Sequence, residues 1–351
     1  MLAISAPDAV SLAIQRTREF LFRPFNWGTY LKLGLVAIVT EGMGGNSNSY
    51  SRHTQPSGNG PQVAPQIPPQ FHMHPEWVAI VVAALLLVMV VGIFVFYLIT
   101  RLRFAYFHCL IHNIKEIQPG WWIYRTQATR FFWLNLVVGF CFLLVFCLIA
   151  IPFAAGFWRL FQETQQGASL DVGLLLSLVL PIIPILILFA LAAVVSDLIL
   201  RDCMLPHFAL DDASAGEAWS QVWVRICAEK RQFLVYALLR VVLPFIAMVA
   251  IFAVLIVPGL ALAGALAAVE WGIHSTFSDA TGASAAVGIL LQVFFGVVAF
   301  GFALLASVCI GGPVSTGIRE YALIFYGGRY KELGDILYPA PSIVGGPSEV
   351  V

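Results

Sequence analysis

Charge is scarce in this sequence: Asp, Glu, Lys and Arg make up 11% of its 351 residues, against about 25% in an average soluble domain. So low a share excludes a chain solvated mainly by water. Positive and negative residues cancel, 19 against 19, so there is no basic field to gather nucleic acid, and no such partner is expected. The short patterns of common chemistries are missing too. There is no Gly-rich phosphate loop followed by Lys, no Gly-x-Ser-x-Gly elbow and no intramembrane pair of catalytic aspartates. No enzymatic activity, catalytic residue, cofactor or metal is expected. No basic start followed by an apolar core and a small-residue cleavage site is present, so no signal peptide is predicted.

Apolar length is abundant. Hydrophobic residues reach 60% and the mean hydropathy is +0.88. A spanning helix needs about 20 mostly apolar residues, and Trp77 to Thr100, Phe131 to Trp158, Leu174 to Val195, Val241 to Val269 and Ala285 to Gly312 all qualify. Trp27 to Thr40 carries Lys32 and stops at Glu41, and is read as a short first span. The predicted fold is all-α, a polytopic transmembrane bundle of about six spans.

The few cations are sorted by side. Of 19 Lys and Arg, only Arg52 and Arg159 fall in segments on the outer side of these spans; the other seventeen sit at or beyond the opposite ends. The positive-inside rule then predicts a multi-pass protein of the cell (inner or plasma) membrane with both termini cytoplasmic. The six cysteines agree. Cys109, Cys203 and Cys227 fall in cytoplasmic segments and Cys141, Cys147 and Cys309 within spans, so no disulfide framework is expected.

Residues 1–351 read as a single integral membrane domain. Residues 1–28 form a cytoplasmic interfacial helix, 101–130 and 201–231 cytoplasmic elbows, and 313–351 a cytoplasmic tail. Residues 42–76, rich in Gly, Ser, Asn, Gln and Pro, read as a disordered external loop; the His72, His74 pair within it offers fewer ligands than a metal site usually has. Ser5 to Pro24 reads as an amphipathic helix capped by Ser5 and Asp8, with Val10, Ala13, Ile14, Thr17 and Leu21 on one face, lying on the membrane surface. The elbows carry Trp121 and Trp122, then Trp219 and Trp223. Trp favours the headgroup boundary because its ring is apolar while its N–H needs a partner, so these four are predicted interfacial anchors. Ser214 and Glu217 have capping-box spacing ahead of the second pair. In both elbows a Trp-rich and Arg-rich helix feeds an outward span, as at the N-terminus. Three interfacial amphipathic helices and a three-fold internal repeat are therefore expected.

Asp202, Pro206, Ser214, Glu217, Ala218 and Trp219, placed directly after a span and before a basic helix, carry a resemblance. They resemble uncharacterised bacterial and archaeal polytopic membrane families of unknown function, and are similar to the membrane domain found beside glycerophosphoryl diester phosphodiesterases. The resemblance implies a membrane fold and transfers no catalytic residue.

Ionisable groups near or inside a membrane mark candidate sites. Asp197, Arg201, Asp202 and Arg240 lie at similar depth, at the cytoplasmic ends of the fourth and fifth spans. They form a candidate binding cluster whose plainer reading is a structural ion pair of Arg240 with Asp197 or Asp202. His108 and His112, four apart, lack the Glu of a zinc-protease motif, and Cys203 with His207 lacks a partner set. Prolines 152, 181, 184, 244 and 258 interrupt spans, but the mid-membrane polar groups are few: Asn135, Ser177, Gln292 and Ser307. Gly259, Ala261, Gly264 and Ala265, or Gly296 and Gly301, are read as marks of close helix packing. Gly311, Gly312 and Pro313 are read as the end of the last span, redirecting the chain into an interfacial helix from Val314 to Tyr326. The expected role is a non-enzymatic scaffold or accessory subunit, with the lipid bilayer and a membrane protein as partners; the alternative is a small-solute or lipid transporter.

Overall fold

The computed structural model describes residues 4–42, 75–165, 172–277 and 283–338. The segment 43–74, with His72 and His74, and the last residues of the tail lie outside the described residues. The elements are α1 (Ala6–Phe22), α2 (Trp27–Gly42), α3 (Pro75–His112), α4 (Gln118–Ile123), α5 (Arg125–Gln165) and α6 (Val172–Leu198). A π-helical turn (Ile199–Met204) leads into α7 (Leu205–Leu210), followed by α8 (Ala215–Ala228), α9 (Lys230–Phe277), α10 (Ala283–Gly327) and α11 (Lys331–Leu337). Among the described residues there are no strands.

Local chemistry places the starts. The Ser5 side chain caps α1 by accepting from the Asp8 N–H at 3.3 Å. At α8 the capping box is complete: Ser214 accepts from the Glu217 N–H, and the Glu217 carboxylate accepts from the Ser214 N–H at 2.8 Å. Each satisfies amide donors that a first helical turn leaves open.

Among the described residues five helices are long and apolar enough to cross a membrane: α3, α5, α6 with its continuation through Leu210, α9 and α10. They divide into two regions. Over residues 80–95 of α3, and in the middle of α5, α6, α9 and α10, apolar side chains are exposed around most of the helix. At the ends of α3, α6 and α10 the same helices enter a buried core built on Phe104 to Ile111, Leu200 to Phe208 and Tyr321 to Tyr326. Aromatic rings lock it: Phe131 stands edge-on to Phe104 and Phe208 with centroids 5.5 and 5.3 Å apart, and Tyr236 stacks on Phe325 at 4.3 Å.

Three expectations need correction, and the count of six spans is not confirmed. Trp27 to Thr40, read as a short first span, is α2, whose 16 residues rise about 24 Å. It is not among the five helices of crossing length and packs along α10. Helix α1 does not simply rest on a surface. It buries Ala6, Ala9, Ala13, Thr17, Phe20 and Leu21 against α10 and α9, the alanines allowing close approach, while Ile14 is left 65% exposed. Gly311, Gly312 and Pro313 do not end a helix, because α10 runs through them and 321–326 are core rather than interface. The glycine serves contact instead: a Cβ on Gly312 would lie 2.7 Å from the Gly34 Cα of α2. Pro313 cannot donate to the carbonyl four residues back, that of Cys309, and the Tyr30 hydroxyl of α2 donates to that oxygen at 2.6 Å. Lastly, Gly259, Gly264, Gly296 and Gly301 do not mark helix packing, since a Cβ at any of them would meet nothing within 4 Å.

Candidate functional site

The end of α2, the last third of α3, the π turn, the first part of α9 and the last third of α10 converge on one lattice of charge. Four arginines and three carboxylates meet there. Asp202 is 2% exposed and takes Arg240 Nε at 2.9 Å, Arg319 Nη1 at 2.8 Å and the Tyr236 hydroxyl at 2.7 Å. Glu41 bridges Arg240 at 2.8 Å and Arg201 at 3.2 Å. Asp197 pairs with Arg201 at 2.9 Å, one helical turn away. Arg103 makes no ion pair among the described residues; its Nε donates to the Thr40 carbonyl at 3.1 Å, which also accepts from Arg201 Nη2 at 2.9 Å. The last carbonyls of α2 have no partner within the helix and carry the negative end of its dipole, so cations are favoured there. Burial pushes the Glu41 carboxyl up, but Arg201, Arg240 and Arg319 outweigh it and hold the group far below the ordinary carboxylate range.

The π turn is what lets two neighbouring residues both face this lattice. Its wider winding carries Arg201 and Asp202 into the core together, and such turns are common where a helix bears functional side chains. The four residues singled out from sequence are all in the lattice, paired as Arg240 with Asp202 and Asp197 with Arg201. Sequence reasoning missed Glu41, Arg103, Arg319 and Tyr236. A signal was available: Arg103, Arg201 and Arg319 stand where α3, the π turn after α6, and α10 enter the core, and all three reach one place.

The lattice floors a cavity of about 600 Å³, within the range of sites that hold small molecules. Glu41, Asp197, Arg201, Asp202 and Arg240 face it at one end, and Met248, Ile251 and Leu255 of α9 with Ile318 of α10 are among its apolar walls.

A second polar constellation lies close by. The His207 ring is fully buried, with Nδ1 2.9 Å from Asp211 Oδ2 and Nε2 2.8 Å from the Tyr326 hydroxyl and 3.0 Å from Arg225 Nη1. Burial pushes the Asp211 carboxyl up, but hydrogen bonds from Glu332, His207 and Tyr330 hold it below its ordinary value; the Glu332 partner is raised, chiefly by sharing that bond with Asp211.

The remaining candidates are dispersed. Trp219 and Trp223 stack on each other at 5.8 Å on an exposed face of α8. Trp122 is exposed, and Arg101 lies 4.3 Å over the Trp121 ring while donating to its carbonyl at 2.8 Å. The His108 and His112 rings are neighbours, 4.6 Å apart. Among the described residues no group of three or more His, Cys, Asp or Glu is placed to hold a metal ion. Asn135 and Ser307 donate to carbonyls of their own helices, Phe131 and Ala303, and are not part of the lattice.

Helices of this length and apolarity, five among the described residues and joined in a charged core, define an all-α protein of membrane-compatible type. The chain belongs to a family described as "Family of unknown function (DUF7544)", whose model matches residues 4–336. Neither a curated protein nor a solved structure matches it. The similarity to the membrane domain beside glycerophosphoryl diester phosphodiesterases finds no support in these comparisons.

Proposed function

We propose that this protein is a non-enzymatic scaffold or accessory subunit of the cell membrane, multi-pass, with its core on the cytoplasmic side. The observation that carries the reading is the division of labour along the helices. Charged side chains are spent on one another in the core, whereas the arms are apolar on all sides and pack sparingly on each other. Such arms leave helix surface for lipid and for the helices of another membrane protein. The exposed Trp219, Trp223 and Trp122 suit the headgroup boundary, setting the depth of the core. The three arginines at matching points of α3, the π turn and α10 favour a three-fold repeat of helix pairs, α1 with α2, α4 with α5 and α8 with α9, in which the second and third pairs set a short helix before a long one. α2 is then the stunted member.

The test is extraction of the tagged full chain in native lipid discs without detergent, followed by identification of all co-purifying protein. A stoichiometric membrane-protein partner is expected; only free chain, across growth conditions, overturns the reading. The second reading, a lipid or small-solute transporter, is favoured by the cavity above the lattice.

A further inference from the structure

We infer that the cavity between α6, α9 and α10 is a binding site for one phospholipid whose headgroup carries both a phosphodiester and a protonated primary amine. This does not depend on the scaffold reading. The shape is that of an amphiphile, charged at one end and apolar along its walls. The residual valence of the floor decides the headgroup. Arg240 uses Nε and one terminal nitrogen on Asp202 and Glu41; its other terminal nitrogen has no hydrogen-bond partner among the described residues and is not sealed from the cavity. Asp197 gives one oxygen to Arg201, and its side chain remains 39% exposed at the cavity. One donor and one acceptor are thus left accessible, separated by the ion pairs that join Asp197 to Arg201, Glu41 and Arg240.

A phosphate on Arg240 would satisfy the donor through a charge-assisted bond. A headgroup that is only anionic would then set further negative charge against the open Asp197 oxygen, which is unfavourable. A primary ammonium beside the phosphate removes that conflict and donates to Asp197. A quaternary ammonium has the charge but no N–H to donate. Behind the floor, Arg103 and Arg319 bring the lattice to four arginines against three carboxylates, so a phosphate is not repelled there.

The experiment is native mass spectrometry of the purified full chain released from discs containing equal parts of phosphatidylethanolamine, its mono- and dimethyl derivatives, phosphatidylcholine and phosphatidylglycerol, all with the same acyl chains. One phosphatidylethanolamine retained per chain, about tenfold over phosphatidylglycerol (about 1.4 kcal/mol), with retention falling at each methylation, is the expected result. Asp197→Asn should bring the series to parity, and Ile251→Trp, which fills the apolar wall without touching the floor, should abolish retention. Equal retention of all five lipids in the unaltered protein overturns the site, and preference for phosphatidylglycerol overturns the headgroup assignment. The methylation series uses unaltered protein, so it decides the matter even if a variant fails to fold.

Discussion

The core and the arms of this protein are made by the same helices and obey opposite rules. Along α10, residues 286–305 are mostly exposed and apolar, with glycines at 296 and 301 that touch nothing; further along the same helix, Arg319, Glu320 and Tyr321 are buried against its neighbours. In the arms a substitution changes an exposed apolar surface. In the core it changes whether a buried charge has a counter-charge, and that is where the energies are large.

Asp202→Ala is the sharpest way to break this contrast. It strands Arg240, Arg319 and the Tyr236 hydroxyl in a buried site, and removing one partner of a buried ion pair costs about 3–5 kcal/mol. Loss of a monodisperse folded species in fluorescence-detected size exclusion is the expected outcome; a variant that elutes and melts like the parent would show the lattice to be dispensable. Acid should attack the same place. Because the folded Glu41 group titrates below its unfolded value of about 4.3, its contribution is complete above that pH and is lost as the pH falls through the lowered folded value. Melting temperature should therefore decline from about pH 4 downwards, and Glu41→Gln should start lower and decline less.

Glycine offers a paired test at smaller scale. Gly312→Ala drives a methyl into the Gly34 backbone and should cost about 1–3 kcal/mol, whereas Gly264→Ala, with open space around it, should leave the melting temperature unchanged or slightly raised. Tyr30→Phe probes the neighbouring joint between α2 and α10. Removing the hydroxyl keeps the aromatic ring but orphans the Cys309 carbonyl that Pro313 cannot serve, for a loss of about 1–3 kcal/mol read by thermal unfolding in the same discs.

The arms are legible in the sequence because length and apolarity are one-dimensional properties. So are the caps at Ser5 and Ser214, which depend on residues three apart. The core is legible only in part. Asp197, Arg201, Asp202 and Arg240 stand out as charges at span ends, but hydropathy puts Glu41 at the outer end of a first span, apart from Arg201 and Arg240, whereas α2 brings it to both. Arg103 and Arg319 read as solvated positive-inside charges, yet both are less than a tenth exposed. Hydropathy cannot tell a cation that snorkels to water from one folded back onto a carbonyl. Gly312 and Pro313 mislead for a related reason: the partner that makes them compatible with a helix, α2, is nearly 280 residues away in the chain.

The finest division falls between two acids that each follow a lattice arginine. Asp202 follows Arg201 and collects three donors; Glu320 follows Arg319, is fully buried, and neither of its oxygens has a hydrogen bond among the described residues, with Arg16 Nε 3.2 Å from one of them. A buried carboxylate with so little compensation gives back little of its desolvation cost. Arg16 also keeps a second partner, the Leu110 carbonyl at 2.9 Å, and a side chain 23% exposed to its surroundings. Glu320→Gln should therefore shift stability by no more than about 1 kcal/mol in either direction, where the loss of the Asp202 carboxylate is disruptive. Equal, large losses at both positions would mean that Glu320 clamps α1 to α10 as firmly as Asp202 clamps α9 to α10, and that the core has two charged centres rather than one.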